Sequence, residues 1–519
     1  RIGIDVGGTH TDAVLVKSNE VVASCKVLTS QNISDGLLNA LDSLLRQASS
    51  EPADLQAVMI GTTQFTNAVV ERRSLEQVAV IRVGLPSGAS IPPTTGWPDD
   101  LVAAVNPLVF MISGGHTYDG LEISPLDLDA LDSALQKISE QGIRQIAVAS
   151  IFAPSDPAQE LAIEQHILRQ FPQMDLTLSH RIGQLGLLER ENAAILNASL
   201  KPLAQRVISS FGEALASRSI SCPFYISQND GTLMDEVMAR QFPALTFSSG
   251  PTNSLRGASL LTGLEDAIVI DIGGTTSDIG VLKGGFPRQS NLSASVGGVR
   301  TNFRMPDILP LGLGGGSIVK PDGSQIGPVS VGYQLPQMGR VFGGDTLTAT
   351  DIAVASGGAD LGDASLLQDL PASLIASVNE LMHQMLDEGV DRMKSSRDPV
   401  PVILVGGGAL LVSKPLKQAS TLLKPEYSGV ANAIGAAHSQ IGCDMERMIV
   451  GDASARRTVL EEMKLHLRDQ LRQAGGKLET ARIADQEETA VSYMATPAVR
   501  VRMKMVADLD LPGEAHAAG

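Results

Sequence analysis

Cysteine is scarce in this 519-residue chain: Cys25, Cys222 and Cys443 stand alone, and isolated cysteines form neither a disulfide framework nor a CxxC metal pair. A reducing compartment follows. Aromatic residues are 3% of the chain, with one Trp, too few for a surface that binds single strands by base stacking. Basic residues number 40 against 57 acidic ones, for a net charge of −17, and no Lys/Arg cluster opposes that excess. A nucleic-acid partner is therefore not expected. No apolar run reaches the roughly 18 residues of a membrane helix. The chain opens on a strand-like run without the basic and apolar regions of a secretory leader, so a cytoplasmic protein is expected. Its eight histidines form no HxH or HExxH, which argues against a protein-built zinc site.

What the chain has is an ordinary globular balance, 43% hydrophobic and 19% charged, with 51 glycines that cluster. It also repeats itself. Residues 2–12 read IGIDVGGTHTD and residues 268–278 read IVIDIGGTTSD, identical at seven of eleven positions. Two related large units, each opening with the same device, are implied. In each copy a second apolar run follows the glycines. Ser18–Asn19–Glu20 then turn the first copy into 21–28, and Gly284–Gly285 turn the second. Each glycine loop thus joins antiparallel strands, unlike the strand-to-helix loop of a Walker A site.

The chemistry of DxGGTxxD suits phosphate. Paired glycines, Gly7–Gly8 and Gly273–Gly274, let backbone N–H groups point into a concavity. Thr9, Thr11, Thr275 and Thr276 add hydroxyl donors. The leading Asp5 and Asp271 are candidate Mg2+ ligands, directly or through water. The closing Asp12 and Asp278 are candidates to orient the loop or a nucleophilic water. A tight turn with Asx capping would explain one copy; two copies in corresponding places favour the phosphate reading. A third cluster, Gly406–Gly407–Gly408, follows the buried-strand run 402–405 and precedes Pro415 and an expected helix. Such a loop can pass close under a base or ribose, or be a packing loop. It lacks dinucleotide GxGxxG spacing.

Two such hairpins with a late VGGG resemble the phosphate and adenosine motifs of the actin, Hsp70 and sugar-kinase ATPase superfamily. DVGGTHTD at 5–12, GTTQFTN at 61–67, YDG at 118–120, SHRIG at 179–183 and LLERENAAILNA at 187–198 narrow the likeness. So do SSGP at 248–251, IDIGGTTSDIG at 270–280, LGLGGGSIV at 311–319 and LTATDIAV at 347–354. Together they resemble the hydantoinase/oxoprolinase family over about residues 1–445. The likeness implies an actin-like α/β ATPase fold, two RNase H-like units closing on ATP with Mg2+. It adds Gly314 and Gly315 to the nucleotide loops, and Thr62, Thr63, Asn67, Ser249 and Gly250 as substrate-facing residues. His10 stands where the family commonly has Phe, and Thr252 and Asn253 where two small residues are usual.

The organisation expected is an N-terminal α/β unit over 1–180, a second unit over 181–444 and an extension over 445–519. Helices are read at 34–48, 126–141, 156–171, 189–215 and 458–473, and strands at 57–60, 78–83, 146–152, 224–227 and 499–505. Residues 311–339 read as a long charge-poor loop, and the uncharged stretch 427–443 as a packing helix. His116 reads chiefly as a turn histidine. Glu189, Arg190 and Glu191 are either a cleft cluster or a solvated helix face. Arg500, Arg502 and Lys504 fall on one face of the last strand, either an acidic-partner dock or a charged edge strand.

The activity implied by the resemblance is ATP-dependent opening of a cyclic amide such as a hydantoin or 5-oxoproline, by phosphorylation of the carbonyl oxygen. A second, hydantoinase-B-like subunit is the expected partner, and self-association is possible. The rivals are a small-molecule kinase of the same superfamily and an ATPase switch subunit that energises a partner.

Overall fold

The computed structural model describes residues 1–7, 10–17, 20–28, 33–290, 294–303, 305–491 and 498–511. The turn expected at 18–19 and the tail beyond Leu511 lie outside these residues.

The opening strand Ile2–Val6 is buried along its whole length. It pairs antiparallel with His10–Lys17 and parallel with Val58–Thr62. Glu20–Leu28 continues the hairpin. The second copy builds the same thing: Ala267–Ile272 pairs antiparallel with Ser277–Lys283 and parallel with Val400–Val405. Gly284 and Gly285 both take positive φ, +57° and +76°, and close the Ser277–Lys283/Phe286–Pro287 hairpin. This duplicated hairpin-plus-parallel-strand arrangement, in mixed sheets with helices between them, is the actin-like α/β fold.

The helix Ile33–Ala48 shows why the elements pack. Leu37, Ala40, Leu41 and Leu44 recur at helical spacing, and all four are buried in the core that also holds Ile2 and Ile4. Three sheets organise the molecule. The largest has nine strands and carries the opening hairpin at one edge. A six-stranded sheet carries the second hairpin, and a four-stranded parallel sheet is built from Leu108–Ser113, Val78–Leu85, Gln145–Ser150 and Asp175–Leu178. Residues 1–180 therefore contribute to two sheets, and the four-stranded one sends Val78, Val80 and Ala147 into the core of the opening strand and Ala79, Ile81 and Val148 into a second core.

Several expectations change. The strand Gln440–Val450 spans the expected boundary at 444, and with Ala498–Ala507 and Arg482–Val491 it extends the nine-stranded sheet. In the stretch 427–443 the helix is only Ala431–Ala437; the rest enters that strand. Residues 311–339 are not a featureless loop. They hold the hairpin Ser317–Val319/Ile326–Ser330 and short helical turns. The last two glycines of the triple open a 3-10 turn, Gly407–Leu411, in place of an α-helix, so no strand–loop–helix dinucleotide site forms.

The last strand is flanked on both sides, so it is no edge. Lys504 is buried against Asp230, and Arg500 and Arg502 lie 3.9 and 3.8 Å from Glu446 and Glu487. The expected basic dock is thereby largely neutralised within the chain. Arg190 and Glu191 are neither cleft-facing nor solvated. Glu191 pairs with the buried Arg82, while Arg190 donates to Ser179 Oγ, Ser150 O and Gln184 O. His116 is buried in the turn after Leu108–Ser113, with Nε2 3.8 Å from Asp156. Among the described residues no helix is long and apolar enough to cross a membrane.

Candidate active site

Antiparallel register sets the carboxylates. In the first hairpin Asp5 lies directly opposite Asp12, and in the second Asp271 lies opposite Asp278. On the other flank each leading aspartate meets a glycine. A Cβ on Gly61 would lie 2.2 Å from Asp5 Oδ1, and one on Gly406 would lie 2.3 Å from Asp271 Oδ1. The same solution is used twice: a glycine at the end of the parallel strand, or just past it, leaves space for the leading carboxylate.

The first pair is held from a distance in sequence. Asn432, on the helix Ala431–Ala437, donates from Nδ2 to Asp5 Oδ2 and to Asp12 Oδ2, both at 2.9 Å. Lys26 Nζ reaches Asp12 Oδ1 at 2.5 Å. Asp5 Oδ1 is buried beside the Asn253 amide, which also draws the carboxyl down, without a hydrogen bond of good geometry. Burial first, then the Asp12 charge, pushes the Asp5 carboxyl up to about 6, against the pull of Asn432. Asp271 also adds to that shift, so the two hairpins are within electrostatic reach of each other. Asp271 itself is raised by burial, with the Ser254 hydroxyl opposing. Asp278 is pushed up to about 7 by burial and by Asp271.

The glycine loops divide into two kinds. Gly7 N donates to His10 O at 3.0 Å and Gly273 N to Thr276 O at 2.9 Å, so the first N–H of each loop closes its own turn. Gly274, Thr275 and Thr276 are exposed; Thr11 is buried in its strand. Gly8 and Thr9 lie outside the described residues. Gly314 and Gly315 do not offer N–H groups to a ligand. Gly314 N donates to Ser317 Oγ and Gly315 N to Gly273 O, and a Cβ on Gly314 would strike the Thr275 backbone at 2.6 Å. They brace the second hairpin loop from behind. Gly406 and Gly408 press against the strand Ala267–Ile272, whereas Gly407 is exposed, with nothing within 4 Å of an added Cβ.

The expected substrate residues gather near Asp5. Thr62 follows Gly61, and Ser249 Oγ donates to its carbonyl at 3.5 Å. A Cβ on Gly250 would stand 3.9 Å from Asp5 Oδ2. Thr63 precedes the helix Gln64–Val70 without capping it, and accepts from Asn67 Nδ2 at 3.4 Å. Thr252 turns inward to Asn229 O and Ser248 O, so it packs instead of meeting a ligand. Asn253 bonds Ser227 Oγ and lies beside Asp5 across Gly61. Lys26, Asn432 and Gly61 were not among the residues expected at the hairpin from the sequence.

Among the described residues no three His, Cys, Asp or Glu converge on a point that could hold a metal ion. Magnesium does not need such a cage. It is commonly held by one or two carboxylates plus ligand phosphates and water. Asp5, with a second leading aspartate within electrostatic reach, supplies that donor chemistry and fits the ion.

Comparison with known proteins places the chain in a family. Residues 1–171 match the model of the hydantoinase/oxoprolinase N-terminal region, and residues 190–363 match hydantoinase/oxoprolinase. Caprolactamase subunit alpha of Pseudomonas jessenii is 27% identical over 71% of this chain and 55% of its own length. Acetophenone carboxylase gamma subunit of Aromatoleum aromaticum is 25% identical over 69% of this chain and 53% of its own. The chain thus matches about half the length of these relatives. Among solved structures, ATP-dependent caprolactamase from Pseudomonas jessenii superposes with a TM-score of 0.80, at 21% identity, over 98% of this chain and 87% of that one. A nucleotide-free acetone carboxylase superposes at 0.65, with 16% identity, over 98% of this chain and 88% of that one. The duplicated hairpins, the order of the motifs and the two matching models lead to one assignment: the chain belongs to the hydantoinase/oxoprolinase family.

Proposed function

We propose that this chain binds ATP with Mg2+ between its two hairpins and uses it to open a cyclic amide, as the nucleotide-binding part of a two-part enzyme. The observation that carries the reading is the facing of two duplicated carboxylate pairs, Asp5/Asp12 and Asp271/Asp278, within electrostatic reach of each other. The names of the relatives, an ATP-dependent caprolactamase among them, support the reaction class. That two relatives are named as subunits supports a partner.

An amide carbonyl is a poor electrophile because of resonance. ATP supplies a transferable phosphoryl group that turns the carbonyl oxygen into a leaving group. The chain's own residues have three tasks. Asp5 and Asp271 would hold the metal, whose charge would offset that of the phosphate oxygens. The exposed Gly274, Thr275 and Thr276 present donors to phosphate oxygens. Asp278 orients and deprotonates the attacking water, because a carboxyl that titrates at about 7 can exchange a proton at neutral pH. Gly407 lies open for the base or ribose. Lys26 holds Asp12 in place through their ion pair.

A coupled ATPase assay over a panel of lactams and hydantoins, with and without a hydantoinase-B-like subunit, tests the reading. Ring opening should need both chains, and release ADP and free phosphate. Carbonyl oxygen-18 should emerge in the phosphate. A stable phosphorylated organic product, equal to the ADP formed, would show a kinase instead.

A further inference from the structure

The basic strip of the last strand leads to a different site. Lys504 turns inward, where it meets two arginines around a single aromatic ring. The guanidinium carbon of Arg256 stands 4.1 Å from the centroid of Phe286, that of Arg482 at 5.6 Å, and Lys504 Nζ at 5.1 Å. Phe286 belongs to the six-stranded sheet; Arg482 and Lys504 belong to the nine-stranded one. The three cations therefore mark the seam between the sheets. This seam is remote from the hairpin loop. The Gly284–Gly285 turn lies at the opposite end of the strand Ser277–Lys283 from Gly273–Thr276, roughly 20 Å away along the strand.

The acidic groups there gather around Lys504, with Asp444 and Asp485 opposite it on the two flanking strands. Lys504 is matched by Asp230, with Nζ 2.9 Å from Oδ2 and 3.0 Å from the carbonyl. Arg256 is only 8% exposed, and its one hydrogen bond runs to the carbonyl of Gly285; its Nε is buried with no partner. Among the described residues neither Arg256 nor Arg482 has a carboxylate partner. Burial drives the Arg256 guanidinium down to about 10, Arg482 pushes the same way, and only Asp230 opposes them. His438, pushed down to about 4 by burial and then by Arg1, the terminal amine and Arg256, adds no negative charge. The ring face attracts cations but carries no net charge. Two guanidiniums without carboxylates suit an oxyanion, whose oxygens accept forked N–H donors.

We propose that this seam is an oxyanion site, separate from the hairpin crevice, which takes a small phosphate-class anion between Arg256 and Arg482. Lys504, kept in place by Asp230, adds positive potential behind it. Because Arg256 lies on the helix Ser249–Thr262 and Arg482 on the nine-stranded sheet, an occupied site ties that helix to the sheet.

Calorimetric titration of the full chain with inorganic phosphate tests this. One site of millimolar or tighter affinity is expected, weakened by more than about tenfold in Arg482→Ala. Arg482 is exposed, so that variant should melt like the parent when phosphate is absent. Phosphate should raise the melting temperature of the parent and not of Arg482→Ala. Arg256→Lys, which keeps the charge and loses the fork, should fall between them. Gly274→Val, which crowds the hairpin loop, separates the two sites and should leave this binding intact. Phosphate binding unchanged in Arg482→Ala, or lost in Gly274→Val, overturns the proposal. So does an absence of phosphate binding, the outcome expected if an acidic side chain of a partner fills the seam.

Discussion

The two hairpins share a sequence and differ in charge management. In the first, Asn432 bridges both aspartates and Lys26 neutralises Asp12. In the second, Asp278 is pushed up to about 7 with Asp271 beside it. The repeated motif conserves the backbone and the carboxylate positions, while residues outside it set the protonation. In the first hairpin the leading aspartate is the one pushed up and the closing one is paired with a cation, whereas in the second the closing aspartate is itself pushed up. Duplication thus supplies two matched scaffolds, and the surroundings give them unequal chemistry.

The largest effect should come from removing what the two share. Asp5→Ala and Asp271→Ala should each lower Mg–ATP affinity by more than about a hundredfold while the protein stays folded. Calorimetry that finds ATP affinity unchanged in both would falsify the two-hairpin model. The closing aspartates should then separate the halves. Asp278→Asn should cut turnover by about a hundredfold and raise stability at pH 8 by on the order of a few kcal/mol, because it removes a buried charge. Asp12→Asn should lower stability, since Lys26 loses its carboxylate. Thermal melts of the pair at pH 8 should move in opposite directions, and equal shifts would break the contrast.

A pH series sharpens the same contrast. A carboxyl raised from 3.8 to about 7 on folding holds an extra proton between those values. Its contribution to stability is therefore present below about pH 4 and lost as pH climbs through 7. Turnover that needs the carboxylate should rise over the upper part of that interval and level off above about pH 7. Asp278→Asn should lose this limb of the profile. The smallest effect concerns the third loop. Gly407→Leu should weaken ADP and ATP alike, by about tenfold, without shifting the melt, because its Cβ points into open space. Gly406→Ala should instead lower the melt, through its contact with Asp271.

What could be read from the sequence was local. Offset repetition exposed both hairpins, and apolar spacing placed helices such as Ile33–Ala48 to within a residue or two. What could not be read depends on contacts made across the chain. Asn432 lies 427 residues from the Asp5 that it holds, in a stretch whose lack of charge suggested only packing. Lys26 is an unremarked strand residue until pairing sets it opposite Asp12. The glycines at 314 and 315 look like a ligand cradle, but their role follows from another loop lying against them. Alternating cations at 500, 502 and 504 suggested a solvent face, because periodicity cannot register that Asp230 and Phe286 meet Lys504 on that face.

The helices that carry Asn253 and Asn432 cross with almost no clearance. A Cβ on Gly257 would lie 1.9 Å from Ala431 O, and one on Gly435 would lie 1.9 Å from Asn253 O. Each glycine sits about one helical turn from one of the two amides beside Asp5. Backbone against backbone makes the crossing a pivot: it resists being pressed closer, and any added methyl would wedge the axles apart. A wedge there would withdraw the Asn432 amide from both aspartates at once. The alignment of the first hairpin thus depends on two hydrogen atoms standing where every other amino acid carries carbon.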